Sequence, residues 1–117
     1  MSEKILIVSA NYYKNISNNL EKKAESLLKN YAHIKYKVTR VPGVFELPVI
    51  ISKNINKYDG FIVLACVIKG ETPHFDFISQ AATNAIMDLS INNKKPIGNG
   101  IITCLNMRQA KARKNKG

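Results

Sequence analysis

The apolar residues of this 117-residue chain fall into two alternating rhythms. Two runs are short and unbroken: ILIV at residues 5–8 and FIVLACVI at residues 61–68. They are strand-length and rich in β-branched side chains, which predicts strands buried on both faces. Residues 36–41 (YKVTRV) alternate and predict a strand between them. Residues 97–103 predict a fourth strand, weakened by Gly98 and Gly100. Between the strands the apolar positions recur at helical spacing. One helix starts near Ser17 or Asn18, with Glu21 in its first turn and Leu20, Ala24, Leu27, Leu28 and Tyr31 as its apolar face. A second carries Leu47, Ile50, Ile51 and Ile55, with Pro48 tolerable in its first turn. A third carries Ile78, Ala81, Ala82, Ala85, Ile86 and Leu89, with Thr72 as N-cap, Pro73 at the first helical position and Asp76 in the first turn. A last helix begins over residues 108–114.

The order is β-α-β-α-β-α-β-α with short connections. Repeated βα units predict right-handed crossovers and a parallel sheet with helices on both faces. Ligands of such sheets bind at the carboxyl ends of the strands. The loops at that edge are residues 10–14, 42–46, 69–74 and the stretch after Thr103.

Composition changes this picture little. Lysine and arginine outnumber aspartate and glutamate 18 to 8, a net charge of +10. The lysines are scattered among asparagines and isoleucines along the whole chain, which reads as compositional bias, so no nucleic-acid partner is expected. Arg108, Lys111, Arg113, Lys114 and Lys116 form the one cluster, a solvated basic tail on its face. No apolar stretch approaches the ~20 residues of a membrane span. The first ten residues lack a signal-peptide pattern, so a cytoplasmic protein without a membrane partner is expected. Cys66 and Cys104 both lie in apolar runs and read as buried thiols rather than a disulfide framework or zinc site.

The chemistry concentrates at the predicted edge. Gly70, Glu71 and Thr72 turn the chain into a helix N-terminus, whose free N–H groups can hold a phosphate or carboxylate. His74 follows, and imidazole is the side chain suited to proton transfer near neutrality. Spacing alone leaves it open between a proton-transfer group and a surface histidine. Tyr12 can stack on a flat heterocycle or simply pack on its neighbours. Glu46 can cap a helix or hydrogen-bond hydroxyls and ring N–H groups. Arg113 offers a planar fork for an oxyanion, or is a tail residue. His33 sits in a polar connection and reads as incidental. No glycine-rich nucleotide fingerprint or nucleophile elbow is present. A Cys66–His74 dyad is disfavoured because Cys66 lies inside a buried strand.

Three motifs together resemble lumazine synthases, the enzymes of the penultimate step of riboflavin biosynthesis. VPGVFELP (residues 41–48) is similar to that family's VPGAFELP, and CVIKGETPHFD (66–76) to its xVIRGETxH[FY][DE]. TCLNMRQAKAR (103–113) is similar to its TTxxxEQAxxR. The resemblance implies a three-layer α/β/α, flavodoxin-like fold with a four-stranded parallel sheet, as a single domain over residues 1–117. It implies condensation of 5-amino-6-(D-ribitylamino)uracil with 3,4-dihydroxy-2-butanone 4-phosphate, without a metal or organic cofactor. His74 matches the catalytic histidine. Glu71, Thr72 and Arg113 match the phosphate-binding residues. Tyr12 matches the aromatic that stacks on the pyrimidine. Val44, Phe45 and Glu46 match the stretch that grips the ribityl chain, and Cys66, Val67 and Ile68 the strand end along the pyrimidine. The resemblance further implies a homo-oligomer, a pentamer or a multiple of pentamers, with sites shared between subunits, and riboflavin synthase as a candidate partner.

The chain departs from the family pattern in three places. Asn99 stands where the family has a phenylalanine contributed across the subunit interface. Arg108-Gln109-Ala110 replaces Glu-Gln-Ala. The final amphipathic helix of the family has no counterpart after Arg113. These departures keep a second reading open, a family member that binds ligand or assembles without turnover.

Overall fold

In the computed structural model, described over residues 3–69 and 74–116 and for side chains up to residue 112, the two rhythms separate into a sheet and its covering helices. The elements are β1 (Glu3–Ala10), α1 (Lys14–Leu28), β2 (Ile34–Val41), a 3₁₀ turn (Val44–Glu46), α2 (Leu47–Asn54), β3 (Gly60–Ile68), α3 (Phe75–Asn93), β4 (Ile97–Cys104) and α4 (Met107–Lys116). The strands lie in the order β2-β1-β3-β4, and every pairing is parallel. The unbroken apolar runs form the two interior strands, where both faces are covered. The strands with more polar positions take the edges.

Two packed layers follow from side-chain alternation. Leu6, Val8, Ala10, Val41, Phe61, Val63 and Ala65 face α2 and α3, meeting Leu47, Ile51 and Ile86. Ile7 and Leu64 face α1 at Ala24 and Leu28, and Cys66, Ile68 and Cys104 meet Ile16 of α1 and Ala110 of α4. The result is a three-layer α/β/α, flavodoxin-like fold, as the sequence predicts. Each fully buried Ile, Leu or Phe in it contributes about 1.5–3 kcal/mol.

Several boundaries and faces differ from the sequence reading. Helix α1 begins at Lys14, three residues before Ser17. Ser17 is buried inside the first turns, its hydroxyl 2.8 Å from the Ala10 carbonyl and 3.1 Å from that of Tyr13, so it ties α1 to the end of β1 instead of capping. Leu27 and Tyr31 are exposed, because the inward stripe runs Ile16, Ala24, Leu28 and Tyr31 lies past the helix end. Strand β2 starts two residues early, at Ile34, because it pairs along the full length of β1. Helix α3 begins at Phe75, with His74 in the N-cap position and no side-chain cap. Thr72 and Pro73, predicted to start that helix, lie outside the described residues.

One of the two glycines of β4 has a packing reason. A Cβ on Gly100 would lie 2.9 Å from the Val63 carbonyl oxygen and 2.9 Å from Leu64 Cδ2. Glycine lets β4 lie against β3 at that point, so a residue that weakens the strand in isolation is required by the sheet.

Candidate active site

The sheet brings three predicted loops to one edge. Strands β1, β2 and β3 all end there, at Ala10, Val41 and Ile68. The Asn11 amide donates to the Val41 carbonyl at 2.9 Å, which ties the first two loops together. Tyr12 follows and is 71% exposed, its ring edge-on to Tyr13 at 4.9 Å. It is fixed on one side and open on the other, the condition for stacking on a ligand.

After Val41 the chain breaks at Pro42-Gly43 and tightens into the 3₁₀ turn. Val44 packs against the core, while Phe45 and Glu46 are exposed. The Glu46 carboxylate folds back over the turn. A Cβ on Gly43 would lie 3.1 Å from Glu46 Oε1. Phe45 meets Phe77 of α3 at 6.2 Å between ring centres, so the loop after β2 and the start of α3 share an aromatic contact.

At the end of β3 the side chains are committed elsewhere. Cys66, Val67 and Ile68 are all buried, Cys66 and Ile68 in the cluster with α1 and α4. The Lys69 amide donates to the Cys104 carbonyl at 2.8 Å, holding the exit of β3 to β4. Gly70, Glu71 and Thr72 lie outside the described residues.

His74 opens the next described segment. Its backbone is left-handed (φ 56°, ψ 38°), a conformation that non-glycine residues seldom adopt. Its carbonyl accepts the Ile78 amide at 2.9 Å, the first bond of α3. The left-handed residue stops the helix there, and the imidazole is exposed rather than packed.

Helix α4 follows β4 at the same edge. The Asn106 side chain accepts the Gln109 amide, and Gln109 in turn accepts the Leu105 amide, both at 3.0 Å. Gln109 thus keeps its place in the motif by capping, whatever precedes it. Buried Ala110 seats α4 against α1. Arg113 lies on α4, its side chain beyond the described ones. A cavity of about 250 Å³ opens between the start of α1 and α4, lined by Tyr13, Lys14, Asn15, Ile16, Met107 and Lys111. Its two lysines are further positive charge at the edge. Only the fold reveals this, since they stand 97 residues apart in helices that no motif connects.

Asn99 does not join the other predicted positions, and His33, read as incidental, also stands apart from them. Asn99 is paired with Val63, five residues before Ile68. That is roughly 16 Å short of the edge at ~3.3 Å per residue. It is exposed, its Oδ1 accepting the Ile101 amide at 2.9 Å. His33 lies at the opposite end of the sheet beside Tyr31, at 6.1 Å. Sequence reasoning missed the support behind the edge. Glu21, expected as a first-turn residue, is buried and holds Arg40 at 2.7 Å. The hydrogen bond and charge of Glu21 raise the Arg40 pKa above its ordinary value. This pair fixes β2 two residues before the Pro42-Gly43 break.

Among the described residues, no group of three or more His, Cys, Asp or Glu side chains is placed to hold a metal ion. No described helix is long and apolar enough to cross a membrane.

The sequence profile of 6,7-dimethyl-8-ribityllumazine synthase matches residues 2–117. The chain belongs to this family. Relatives named 6,7-dimethyl-8-ribityllumazine synthase include that of Bartonella tribocorum, 42% identical over 121 residues, covering 97% of this chain and 80% of that protein. The Bartonella henselae protein is 43% identical over 122 residues, covering 97% and 78%. The Agrobacterium fabrum protein is 40% identical over 116 residues, covering 93% and 78%. Lumazine synthase membership accounts for why the three motifs and the sheet edge coincide.

Proposed function

We propose that this chain makes 6,7-dimethyl-8-ribityllumazine in riboflavin biosynthesis, with the carboxyl edge of its sheet as the catalytic site. Its substrates are 5-amino-6-(D-ribitylamino)uracil and 3,4-dihydroxy-2-butanone 4-phosphate. The observation that carries this reading is the meeting, at one edge of a lumazine synthase fold, of Tyr12, the 3₁₀ turn and His74.

The site works by holding two reactants together. The uracil lies against the backbone of Cys66, Val67 and Ile68, with Tyr12 over its face. Its ribityl chain runs along Val44, Phe45 and Glu46, where the Glu46 carboxylate accepts from hydroxyls. The ketone phosphate is held by Glu71, Thr72 and Arg113. The 5-amino group attacks the ketone carbon, and water leaves as the imine forms. Loss of a proton and departure of phosphate follow, and then the 6-amino nitrogen closes the second ring with loss of a further water. His74 carries protons in these steps, its exposed imidazole standing at the start of α3. No metal or organic cofactor is assigned a role.

Residues 1–117 act as one domain in this reading. Asn99 faces the site of a neighbouring subunit in a pentamer or a multiple of pentamers, which its distance from the chain's own edge favours. The protein is assigned to the cytoplasm, and riboflavin synthase is the candidate partner that consumes the product.

Mixing the purified protein with both substrates is expected to give lumazine fluorescence well above the uncatalysed rate. Fluorescence no faster than the protein-free mixture would remove the assignment.

A further inference from the structure

At the end of the sheet opposite His74, a cavity of about 530 Å³ is lined by Lys4, Lys35, Tyr36, Lys37, Lys57 and Tyr58. Its lysines come from three separate segments: the start of β1, β2, and the turn between α2 and β3. Register explains how they meet. Lys4 pairs with Lys35, and Leu6 with Lys37. Side-chain alternation puts all four residues on the face that carries α2 and α3. Further along, that face is core, with Leu6, Val8 and Val41 packed on α2. Helix α2 packs over β1, and the first half of β2 lies beyond it, where Lys35 and Lys37 are exposed. Lys57 arrives from the turn before β3, whose Tyr58 ring is anchored on Phe61 at 6.0 Å.

No carboxylate among the described residues lines this cavity. The nearby Asp59 accepts the Lys4 amide through Oδ2 at 2.8 Å and is not among the lining residues. Glu3 points to the other face by alternation. Four lysines therefore line one concavity without a carboxylate among its described lining residues. Lysines on an exposed edge strand also guard against strand pairing, which accounts for Lys35 and Lys37. It does not account for Lys4, on an interior strand, or Lys57, on a turn.

We infer that this lysine-lined cavity is an anion site, distinct from the catalytic edge, that takes a small ligand carrying a chain of phosphoryl groups. A compact cavity of a few hundred Å³ fits a small molecule. Several phosphoryl oxygens match several separated ammonium donors better than one carboxylate does.

The test is calorimetric titration of the wild-type protein with sodium tripolyphosphate at neutral pH and low salt. Saturable binding near one per chain is expected. Lys35→Glu/Lys37→Glu should weaken it by about tenfold or more. Lys22→Glu/Lys29→Glu makes the same charge change at exposed positions on α1 and just past its end, and should weaken it by less than about threefold. Lys57→Ala, on a different segment, should weaken it too, which keeps the test independent of how the double variant folds. A parallel titration with ATP separates the sources. Tighter binding of ATP points to a nucleotide, tighter binding of tripolyphosphate to an inorganic chain, and both uphold the phosphate chemistry. No binding at about 1 mM, or equal weakening by the two double variants, overturns the inference. So does a labelled oligothymidylate that binds more than about tenfold tighter than tripolyphosphate and depends on the same lysines.

Discussion

His74 combines two properties that rarely coincide, a left-handed backbone and an exposed imidazole at a helix start. The first sets the second in place, because a residue that cannot continue the helix projects from its end. His74→Ala is expected to lower kcat by about a hundredfold, the low end of general acid–base contributions. Positioning of the two substrates supplies the rest of the rate. Steady-state kinetics checks this, and an unchanged kcat would remove the histidine from the mechanism. Glu21 and Arg40 act behind the site. Arg40→Ala leaves a buried carboxylate without its partner, so it should lower the melting temperature more than Glu21→Gln does. The double variant should recover part of the loss, as a thermal double-mutant cycle can show. Since the Arg40 pKa is raised, the stability it supplies is fully present below the unfolded arginine value. It is lost only as pH rises through the still higher folded value, far above neutrality.

Among the elements, β4 shows most clearly how sequence propensity and packing can disagree. Gly98 and Gly100 both weaken it as a strand, yet their surroundings differ. A Cβ at Gly98 finds its nearest atom at 3.8 Å, whereas at Gly100 it meets the Val63 carbonyl at 2.9 Å. Backbone cannot yield as a side chain does. Gly100→Ala should therefore destabilise by about 1–3 kcal/mol, and Gly98→Ala should stay within about 0.5 kcal/mol of wild type. Chemical denaturation of the two variants separates them, and equal effects would refute the close-approach argument. The same element scale explains the misread α1. Its apolar residues fit more than one helical phase. Packing on Ile7 and Leu64 chose the phase that buries Ala24 and Leu28 and leaves Leu27 outside.

At the scale of the whole molecule, the α2–α3 surface remains uncovered. Val49, Phe77, Met87 and Ile91 are all more than half exposed, and a groove of about 590 Å³ runs between the two helices. A lone chain rarely leaves so many large apolar groups on one side. This surface favours the proposed pentamer, as does the stranded position of Asn99. Native mass spectrometry should give a multiple of five subunits. Ile91→Lys should shift the population toward smaller species with loss of activity. A wild-type protein that is monomeric and fully active would overturn the shared-site reading.

The sequence by itself determined the four strands, their parallel sense and the family. Those properties follow from local periodicity and short motifs, and each is set by residues close together in the chain. Tertiary structure decided which side chains stand open at the carboxyl edge of the sheet. Cys66, Val67 and Ile68 sit at the right strand end, but close packing on both faces of β3 turns their side chains inward. It decided that Ser17 ties and Glu21 pairs, since both partners come from other elements. It also gathered Lys4, Lys35, Lys37 and Lys57 into one cavity. Read along the chain, those lysines are scattered charge. Strand register and the reach of α2 make them neighbours, and neither is written in any one stretch of sequence.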